Sequence, residues 1–468
     1  MKKLVSAMAI AALPLSACTT VGPDYRALQA TSLGVPDTYH SLAQPAPSPE
    51  QLATWWQRFG DPELDRLVDQ AITGNLDLAV ATARLRQARE AVVQARAGRL
   101  PSVGASGSAG ENFDSDGDSS TRLALGADAA WEVDLFGGIG RGIEAARADA
   151  ESVGYDLAAV RVAIIGEVAS NYIQARLAQA QLQTARDSLR IADENLDIAG
   201  WRVRAGLISS LDSEQARAQR AQTAASIPNI ESRFASAAYR LAVLTGEAPG
   251  ALTDRLAAAK PVPTGPEAIA VGIPADTLRQ RPDVRSAERS LAAQTARIGV
   301  AEAQLLPGLR LTGNIGTTAL GLGSLFDLVT GGVFAGLSQS LFEGGRLRSQ
   351  VRSEEAAAEG ALAAYRKTVL TALEDVENAL VALQAAKARQ AEFAIALDAA
   401  NNTAIMARSQ YRAGLTDFQT LLEAERSLLS ARDGIDSSGA EKALAIVQLY
   451  GALGGGWDPL APATGVSS

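Results

Sequence analysis

Residues 178–204 read AQAQLQTARDSLRIADENLDIAGWRVR, and this stretch decides the fold. Apolar residues recur in it alternately four and three positions apart, at Ala178, Leu182, Ala185, Leu189, Ala192, Leu196, Ala199 and Val203. Such a repeat is the seam of a left-handed coiled coil, and the small alanines let two helix axes approach closely. The stretch therefore predicts a long helix that packs along a second helix.

The same seam occurs twice, because the chain is internally duplicated. The second copy runs through Ala386, Gln390, Phe393, Leu397, Ala400, Ala404, Ala407 and Tyr411, with one polar interruption. Other motifs recur 206 to 208 positions later: Leu100-Pro101 as Leu306-Pro307, and Arg204-Ala205-Gly206-Leu207 as Arg412-Ala413-Gly414-Leu415. Each half predicts a short helix, two strands, a very long helix and a returning helix.

The placement of proline supports the very long helices. No proline lies between Pro101 and Pro228 or between Pro307 and Pro459, and a proline inside a helix costs about 3 kcal/mol. A helix over residues 142–204 would rise on the order of 95 Å, which no single compact domain needs. Pro228 itself predicts a kink in the first returning helix, and the second half has no matching proline.

Two segments before each long helix alternate with the period of two that is typical of strands. Residues 122–136, RLALGADAAWEVDLF, carry an apolar face and a face of charged and small residues. Residues 103–110, 309–315 and 333–341 alternate similarly, and residues 111–120 predict a polar loop. The pattern is typical of a membrane barrel wall, and a soluble hairpin packed on a helix also produces it. Because four strands cannot close a barrel, several protomers would share one.

The first residues, MKKLVSAMAIAALPLSAC, predict a secretion leader. Two lysines precede an apolar stretch that is too short to span a bilayer. Leu15-Ser16-Ala17-Cys18 resembles a bacterial lipobox, so cleavage would leave Cys18 as an acylated first residue. The alternative is an ordinary leader with an incidental cysteine. Thr19 follows instead of Asp, which in such lipoproteins implies delivery to the outer membrane.

The composition argues against most kinds of chemistry. Hydrophobic residues make up 47 % and aromatic residues 5 %, a composition typical of close-packed helices. The net charge of −9 argues against a nucleic-acid partner. Cys18 and His40 are the only residues of their types, so a metal site or a Cys–His dyad is nearly excluded. We expect no catalytic residue, no metal and no cofactor, with His40 a solvated loop residue.

On these residues the chain resembles the TolC-like outer-membrane efflux factors, and in particular their lipoprotein (NodT-type) branch. The resemblance runs from Cys18 to about Pro459. It rests on these motifs in combination: Val21-Gly22-Pro23-Asp24-Tyr25, Arg279-Gln280-Arg281-Pro282-Asp283-Val284, Leu305-Leu306-Pro307, Phe342-Glu343-Gly344-Gly345-Arg346 and Tyr411-Arg412-Ala413-Gly414.

The resemblance implies a homotrimer that is mainly α with a β-barrel portion. Long antiparallel coiled-coil helices would form a periplasmic α-barrel, and four strands per protomer would cross the outer membrane. Residues 247–275 would contribute to a mixed collar. The expected segments are leader 1–17, anchor and collar 18–75, first repeat 76–246, linker and collar 247–282, second repeat 283–454 and tail 455–468.

The implied function is a passive duct that carries small molecules outward. It would work with a periplasmic adaptor (membrane fusion) protein and an inner-membrane pump of the RND type, and it would contact outer-membrane lipid. A duct for type I protein secretion and a pore-less coiled-coil scaffold are the alternatives. The Gly-rich run 137–142 predicts a strand-to-helix junction better than a phosphate loop, because no Lys-Ser/Thr follows it.

The resemblance also implies that the Arg-Ala-Gly turns are tips that close the duct and meet the adaptor. The gate candidates are Glu423, Asp417, Gln419, Asp212 and Glu214. The candidates for a latch or an adaptor contact are Tyr411, Arg412, Gly414, Arg204 and Gly206. The candidates for the membrane interface are Trp131, Phe136 and Phe342. Asp212, Glu214 and Asp417 equally fit solvated carboxylates at helix starts, whereas the position that the resemblance gives Glu423 favours the gate. The latch candidates also fit ordinary flanks of a coiled coil.

Overall fold

The computed structural model describes residues 20–40, 52–113, 119–267, 269, 271–272 and 274–458, and the structural statements below concern these residues. The predicted leader and Cys18 lie outside them. Thirteen helices and strands are present, together with three short 3₁₀ turns. Within the described residues, no helix is both long enough and apolar enough to cross a membrane.

The first half of the chain begins with α1, Pro62–Gly74, which precedes the repeated unit. The repeated unit then consists of α2 (Leu76–Ala97), β1 (Ser102–Phe113), β2 (Ser119–Val133), α3 (Gly138–Arg204) and α4 (Ser210–Leu244). Two short helices, α5 (Thr253–Leu256) and α6 (Pro274–Gln280), follow it. The strands are longer than the sequence predicted, so the polar loop expected over residues 111–120 is correspondingly shorter.

The second half repeats this order with matching lengths. It consists of α7 (Pro282–Ala303), β3 (Gly308–Ala319), β4 (Val329–Ser338), α8 (Arg346–Arg412) and α9 (Phe418–Ala452). The two very long helices have 67 residues each, and the two returning helices have 35 each. The predicted internal duplication is therefore confirmed. The first returning helix contains Pro228 within its length.

The chain divides into two compact units, each assembled from both repeats. Unit one comprises the described residues up to Gln29, together with Ala83–Tyr155 and Arg285–Thr368. Unit two comprises Ala30–Thr82, Asp156–Val284 and the described residues from Val369 onward. Each unit combines separate stretches of the chain, whereas the predicted segments are consecutive. The predicted segment boundaries therefore stay predictions.

Unit one contains a four-stranded antiparallel sheet in the order β1-β2-β3-β4. Its register places Leu311 between Trp131 and Ala335 on one face. On the other face Glu132 lies opposite Arg310. The apolar face comprises Val103, Leu123, Leu125, Trp131, Val133, Leu309, Leu311, Ile315, Val329, Val333 and Leu337. The alternation that the sequence predicted is thus present in all four strands.

The N-terminal stretch of unit one is fastened to α3 by one buried arginine. The guanidinium of Arg141 donates to the carbonyl oxygens of Val21 (3.0 Å) and Gly22 (3.1 Å) and to the Asp24 carboxylate (2.6 Å). Gly22 has φ +89°, and a Cβ there would lie 2.4 Å from Cα of Gly299. The Val-Gly-Pro-Asp motif is therefore a docking segment that needs a glycine.

The core of unit two gathers residues from both repeats. Trp55 stacks on Tyr450 with ring centroids 5.1 Å apart. The Tyr172 hydroxyl donates to Asp61 at 2.5 Å, and its burial raises the pKa of that hydroxyl. The seam alanines 178, 185 and 192 are buried, as are 400, 404 and 407. The seam leucines at 182, 189 and 196 are half-buried.

In each repeat, a side chain just before the first helix donates a hydrogen bond to the end of the returning helix. The Asn75 side chain donates to the carbonyl oxygen of Leu244 (2.9 Å), at the end of α4. Arg281 donates to the carbonyl oxygen of Ala452 (3.0 Å), at the end of α9. These two donors and acceptors are counterparts in the duplication. Arg281 also pairs with the carboxylates of Asp283 (2.6 Å) and Asp375 (3.0 Å).

Replacing Arg281 should destabilise unit two strongly. In Arg281→Met the Ala452 carbonyl loses a buried donor, and the carboxylates of Asp283 and Asp375, which solvent partly screens, lose their partner. Together these losses should cost about 2 kcal/mol of the free energy of unfolding. We expect a clearly lower midpoint of thermal unfolding, followed by circular dichroism in detergent. Arg279→Met, which removes an exposed arginine two residues earlier, is the matched control. Equal midpoints for the two variants would contradict this role.

Candidate functional site

The two Arg-Ala-Gly turns have the same backbone geometry. Gly206 (φ +71°) and Gly414 (φ +76°) adopt the left-handed conformation that favours glycine at the end of a helix. The Leu207 amide donates to the carbonyl of Arg202, and the Leu415 amide donates to the carbonyl of Gln410, both at 2.9 Å. Each turn is therefore a Schellman motif, which satisfies the last carbonyls of a long helix.

Each returning helix starts with a side-chain cap directly after its turn. The Ser209 hydroxyl accepts a hydrogen bond from the Leu211 amide at 3.1 Å. The Asp417 carboxylate accepts one from the Thr420 amide at 2.8 Å. Hydrogen bonds from the side chain and the backbone amide of Thr420 lower the pKa of Asp417. Asp417 thus has a helix-capping role, which is the alternative that the sequence analysis weighed against gating.

A small apolar cluster lies directly behind the turns. Tyr411 and Phe418 form its aromatic pair, with ring centroids 5.6 Å apart. The other buried members are Ala199, Ala216, Ala407, Leu421, Leu422 and Ala424. The cluster joins α3, α4, α8 and α9, so the two turns are held together within one protomer.

Arg202 connects the two turns, and this role was not predicted from the sequence. Its guanidinium donates to the carbonyl oxygens of Tyr411 (2.8 Å) and Arg412 (3.3 Å). It also lies over the Tyr411 ring, 4.4 Å from the centroid. Burial raises the pKa of Tyr411, and the nearby Arg202 opposes that shift. Arg204, which the sequence singled out, is exposed.

One sequence feature could have indicated Arg202, namely its position in the last turn of α3. A cation there is favoured by the helix dipole and by unsatisfied carbonyls. The hydrogen bonds of Arg202 go to α8, about 210 residues later in the chain, and a local sequence motif does not reveal a partner that far away. The conspicuous Arg-Ala-Gly pattern instead drew attention to Arg204. Arg412 contributes its backbone carbonyl here, while its side chain is exposed.

The five gate candidates have different surroundings. Glu423 is exposed, and its carboxylate accepts a hydrogen bond from Gln419, one turn earlier, at 3.1 Å. Glu214 pairs with Arg217 on its own helix at 3.4 Å. Asp212 is half-buried and near enough to Tyr411 to contribute to the raised pKa of its hydroxyl. The structure therefore brings Glu423 and Gln419 together on one exposed face of α9.

Ion pairs tie the helices together behind the turns. Arg408 on α8 makes two hydrogen bonds to Glu425 on α9, at 2.5 and 2.8 Å. Arg220 on α4 bonds Asp193 on α3 at 2.8 Å. Arg426 of α9 reaches Gln219 of α4 at 2.7 Å and so links the two helix pairs. Such pairs fix the neighbours along each coiled coil.

The three membrane-interface candidates lie at the end of the sheet next to the helices of unit one. The Trp131 indole N–H donates to the carbonyl oxygen of Arg99 at 3.0 Å. Phe136 is half-buried, and Phe342 is almost fully exposed. Their placement in a membrane stays a prediction.

The glycine-rich run is a strand-to-helix junction. The Asp134 carboxylate accepts from the amides of Ile139 (3.2 Å) and Gly140 (2.8 Å) and caps the start of α3. The amides that a phosphate would use are thus occupied by an internal carboxylate. Among the described residues, no group of three His, Cys, Asp or Glu side chains is arranged to hold a metal ion.

Comparison with known proteins identifies the family. The profile described as "Outer membrane efflux protein" matches residues 67–247 and 273–455. The chain belongs to the outer membrane efflux protein family. It is similar to Nodulation protein T of Rhizobium leguminosarum bv. trifolii, with 32 % identity over 464 residues that cover 96 % of this chain and 97 % of that one.

Two further members of the outer membrane efflux protein family support the assignment. The Pyoverdine export outer membrane protein OpmQ of Pseudomonas putida is 33 % identical over 462 residues, covering 96 % of this chain and 97 % of the relative. The solved structure of the outer-membrane channel OprN is 36 % identical, with a TM-score of 0.86, and covers 94 % of this chain and 100 % of its own. The predicted family, its efflux function and its outer-membrane localisation are confirmed.

Removing Arg202 should loosen the turns of this efflux protein. Arg202→Ala takes away two hydrogen bonds and the contact with the Tyr411 ring. We expect faster hydrogen exchange at the amides of residues 205–207 and 413–415, measured by mass spectrometry. Arg204→Ala, which removes an exposed arginine from the same helix end, serves as the control. If both variants exchanged at the wild-type rate, Arg202 would not hold the turns together.

Proposed function

We propose that three copies of the chain form one outer-membrane channel that carries small molecules from the periplasm to the exterior. The sheet of unit one carries this proposal. Among the residues that the structure describes, the outer strands β1 and β4 each have one edge without a partner strand, and one sheet face is apolar and largely exposed. Twelve strands from three protomers would pair these edges and turn the apolar face toward lipid.

The opposite face of the sheet suits the interior of such a channel. Arg122, Asp128, Glu132 and Arg310 lie on it, interspersed with glycine and serine. Small side chains leave space, and charged ones keep that space hydrated. The long helices would extend the conduit as a wall of coiled coils. This arrangement has no need of a catalytic residue, and we propose that the protein is a passive duct and not an enzyme.

The duct would act with two partners that the family resemblance implies. A periplasmic adaptor would meet the helix turns at residues 204–214 and 411–423, and an inner-membrane pump of the RND type would supply the substrate. An acylated Cys18 would add a lipid anchor. Selection among substrates would then occur mainly at the pump, because a passage lined by small and charged side chains would discriminate little among small solutes.

Reconstitution tests the channel directly. The purified full chain should migrate as a trimer in mild detergent and should produce discrete conductance steps in a planar bilayer. The expected steps require a continuous aqueous pore, so a trimer that inserts without conductance would contradict the duct and favour a coiled-coil scaffold. A monomer that fails to insert would contradict the shared sheet.

We further propose that Glu423 helps to set the charge of the closed entrance. It is exposed, it lies in the second turn of α9, and its carboxylate accepts a hydrogen bond from the Gln419 side chain on the same helix. Three such carboxylates around a threefold axis would repel one another and attract cations. Asp417 and Glu214 already have other roles, in a helix cap and an ion pair respectively.

Neutralising Glu423 should therefore change ion selectivity. In Glu423→Gln we expect a lower ratio of cation to anion permeability, measured from reversal potentials across a salt gradient. Glu214→Gln has the same change of charge on the first returning helix and should leave the ratio near that of the wild type. An unchanged ratio in Glu423→Gln would remove this residue from the entrance.

A further inference from the structure

The connection between β3 and β4 has an unusual composition for a turn on a protein surface. Residues 320–328 read LGLGSLFDL, and Asp327 is the only charged residue among them. We call these residues the β3–β4 loop. The connection between β1 and β2 has the sequence DSDGD at positions 114–118. One hairpin of the sheet thus ends in acidic residues and the other in apolar ones.

The β3–β4 loop folds back over the apolar face of the sheet. Thr317 and Ala319 belong to that face by register, yet they are only 7 % and 6 % exposed. The Thr317 hydroxyl donates to the carbonyl oxygen of Leu325 in the loop. A shallow groove next to this contact is lined by Leu125, Ile315, Phe326 and Val329.

The large side chains of the loop nevertheless remain uncovered. Leu322 is 83 % exposed and Phe326 is 74 % exposed, and Leu320 and Leu328 are also exposed. Phe326 borders the apolar face at this groove, and Val333 on the same face is 87 % exposed. A contiguous apolar surface of this kind requires an apolar partner.

Several backbone groups of the loop already have hydrogen-bond partners within the protein. The Ser324 amide and hydroxyl both donate to the carbonyl of Gly321, and the Asp327 amide donates to the carbonyl of Ser324. Thr317 satisfies the carbonyl of Leu325. Internal hydrogen bonds of this kind lower the cost of bringing irregular backbone to the boundary of a bilayer.

We propose that the β3–β4 loop inserts its apolar side chains into the acyl-chain layer of the membrane and acts as a wedge beside the barrel. This inference rests on the proposed function, which turns the apolar face of the sheet toward lipid. The loop is continuous with that face, and lipid is therefore its partner. Asp327 would stay at the level of the headgroups, as charged residues at a membrane boundary do.

Spin labels on introduced cysteines test the wedge in the full-length trimer. The labelled variants are Leu322→Cys and Phe326→Cys, with Val333→Cys on the apolar face and Asn314→Cys on the opposite face as references. Cys18 is the only native cysteine, and the unsubstituted protein gives its background. The trimers are reconstituted into vesicles of phosphatidylethanolamine and phosphatidylglycerol, and accessibility to oxygen and to a nickel chelate is measured.

We expect the labels at 322 and 326 to match the label at 333, with an oxygen-to-nickel accessibility ratio several-fold above that at 314. If 322 and 326 matched 314 while 333 stayed in lipid, the wedge would be overturned and the channel would stand. Spin–spin broadening at 322 or 326, with both quenchers excluded, would place the loop on a neighbouring copy and would also overturn it. A water-exposed label at 333 would contradict the proposed function itself.

Discussion

An edge strand leaves a row of backbone N–H and C=O groups without partners, and inside hydrocarbon each such group costs several kcal/mol. In the described part of this efflux protein the sheet has two such edges, β1 and β4, and an exposed apolar face. A single protomer cannot place this sheet in a membrane. Association through the edges is therefore the condition under which the strands can span a bilayer, and the other elements serve an assembly of several copies.

The duplication makes that assembly regular. Two long helices of equal length and two returning helices of equal length give each protomer two similar wall segments. A hydrogen bond at the corresponding place joins the ends of each segment, from Asn75 to the Leu244 carbonyl and from Arg281 to the Ala452 carbonyl. The chemistry differs, since an amide serves in one repeat and a guanidinium with two carboxylates in the other.

Local rules were sufficient to predict the elements of the fold. The heptad seam and the strand alternation follow from spacing alone, and the structure confirms both. The contacts of Arg141 and Arg202 were not predicted, because each joins segments far apart in the chain, and no periodicity encodes such pairings. Strand ends were also misjudged: Glu111–Phe113 are polar or lie beside polar residues, yet they pair with Ser119–Thr121 across the hairpin.

At the turns, a carboxylate can serve either to stabilise a helix start or to set the charge of a pore. A carboxylate at a helix start stabilises that helix, as Asp417 does through the Thr420 amide, and its neutralisation would disturb the fold together with any pore charge. Glu423 lies more than one turn into α9, exposed, with a single hydrogen bond from Gln419. Its charge contributes little to holding the protomer together. A carboxylate in that position can respond to neighbouring copies and to passing ions, because a change in its surroundings leaves the helix intact.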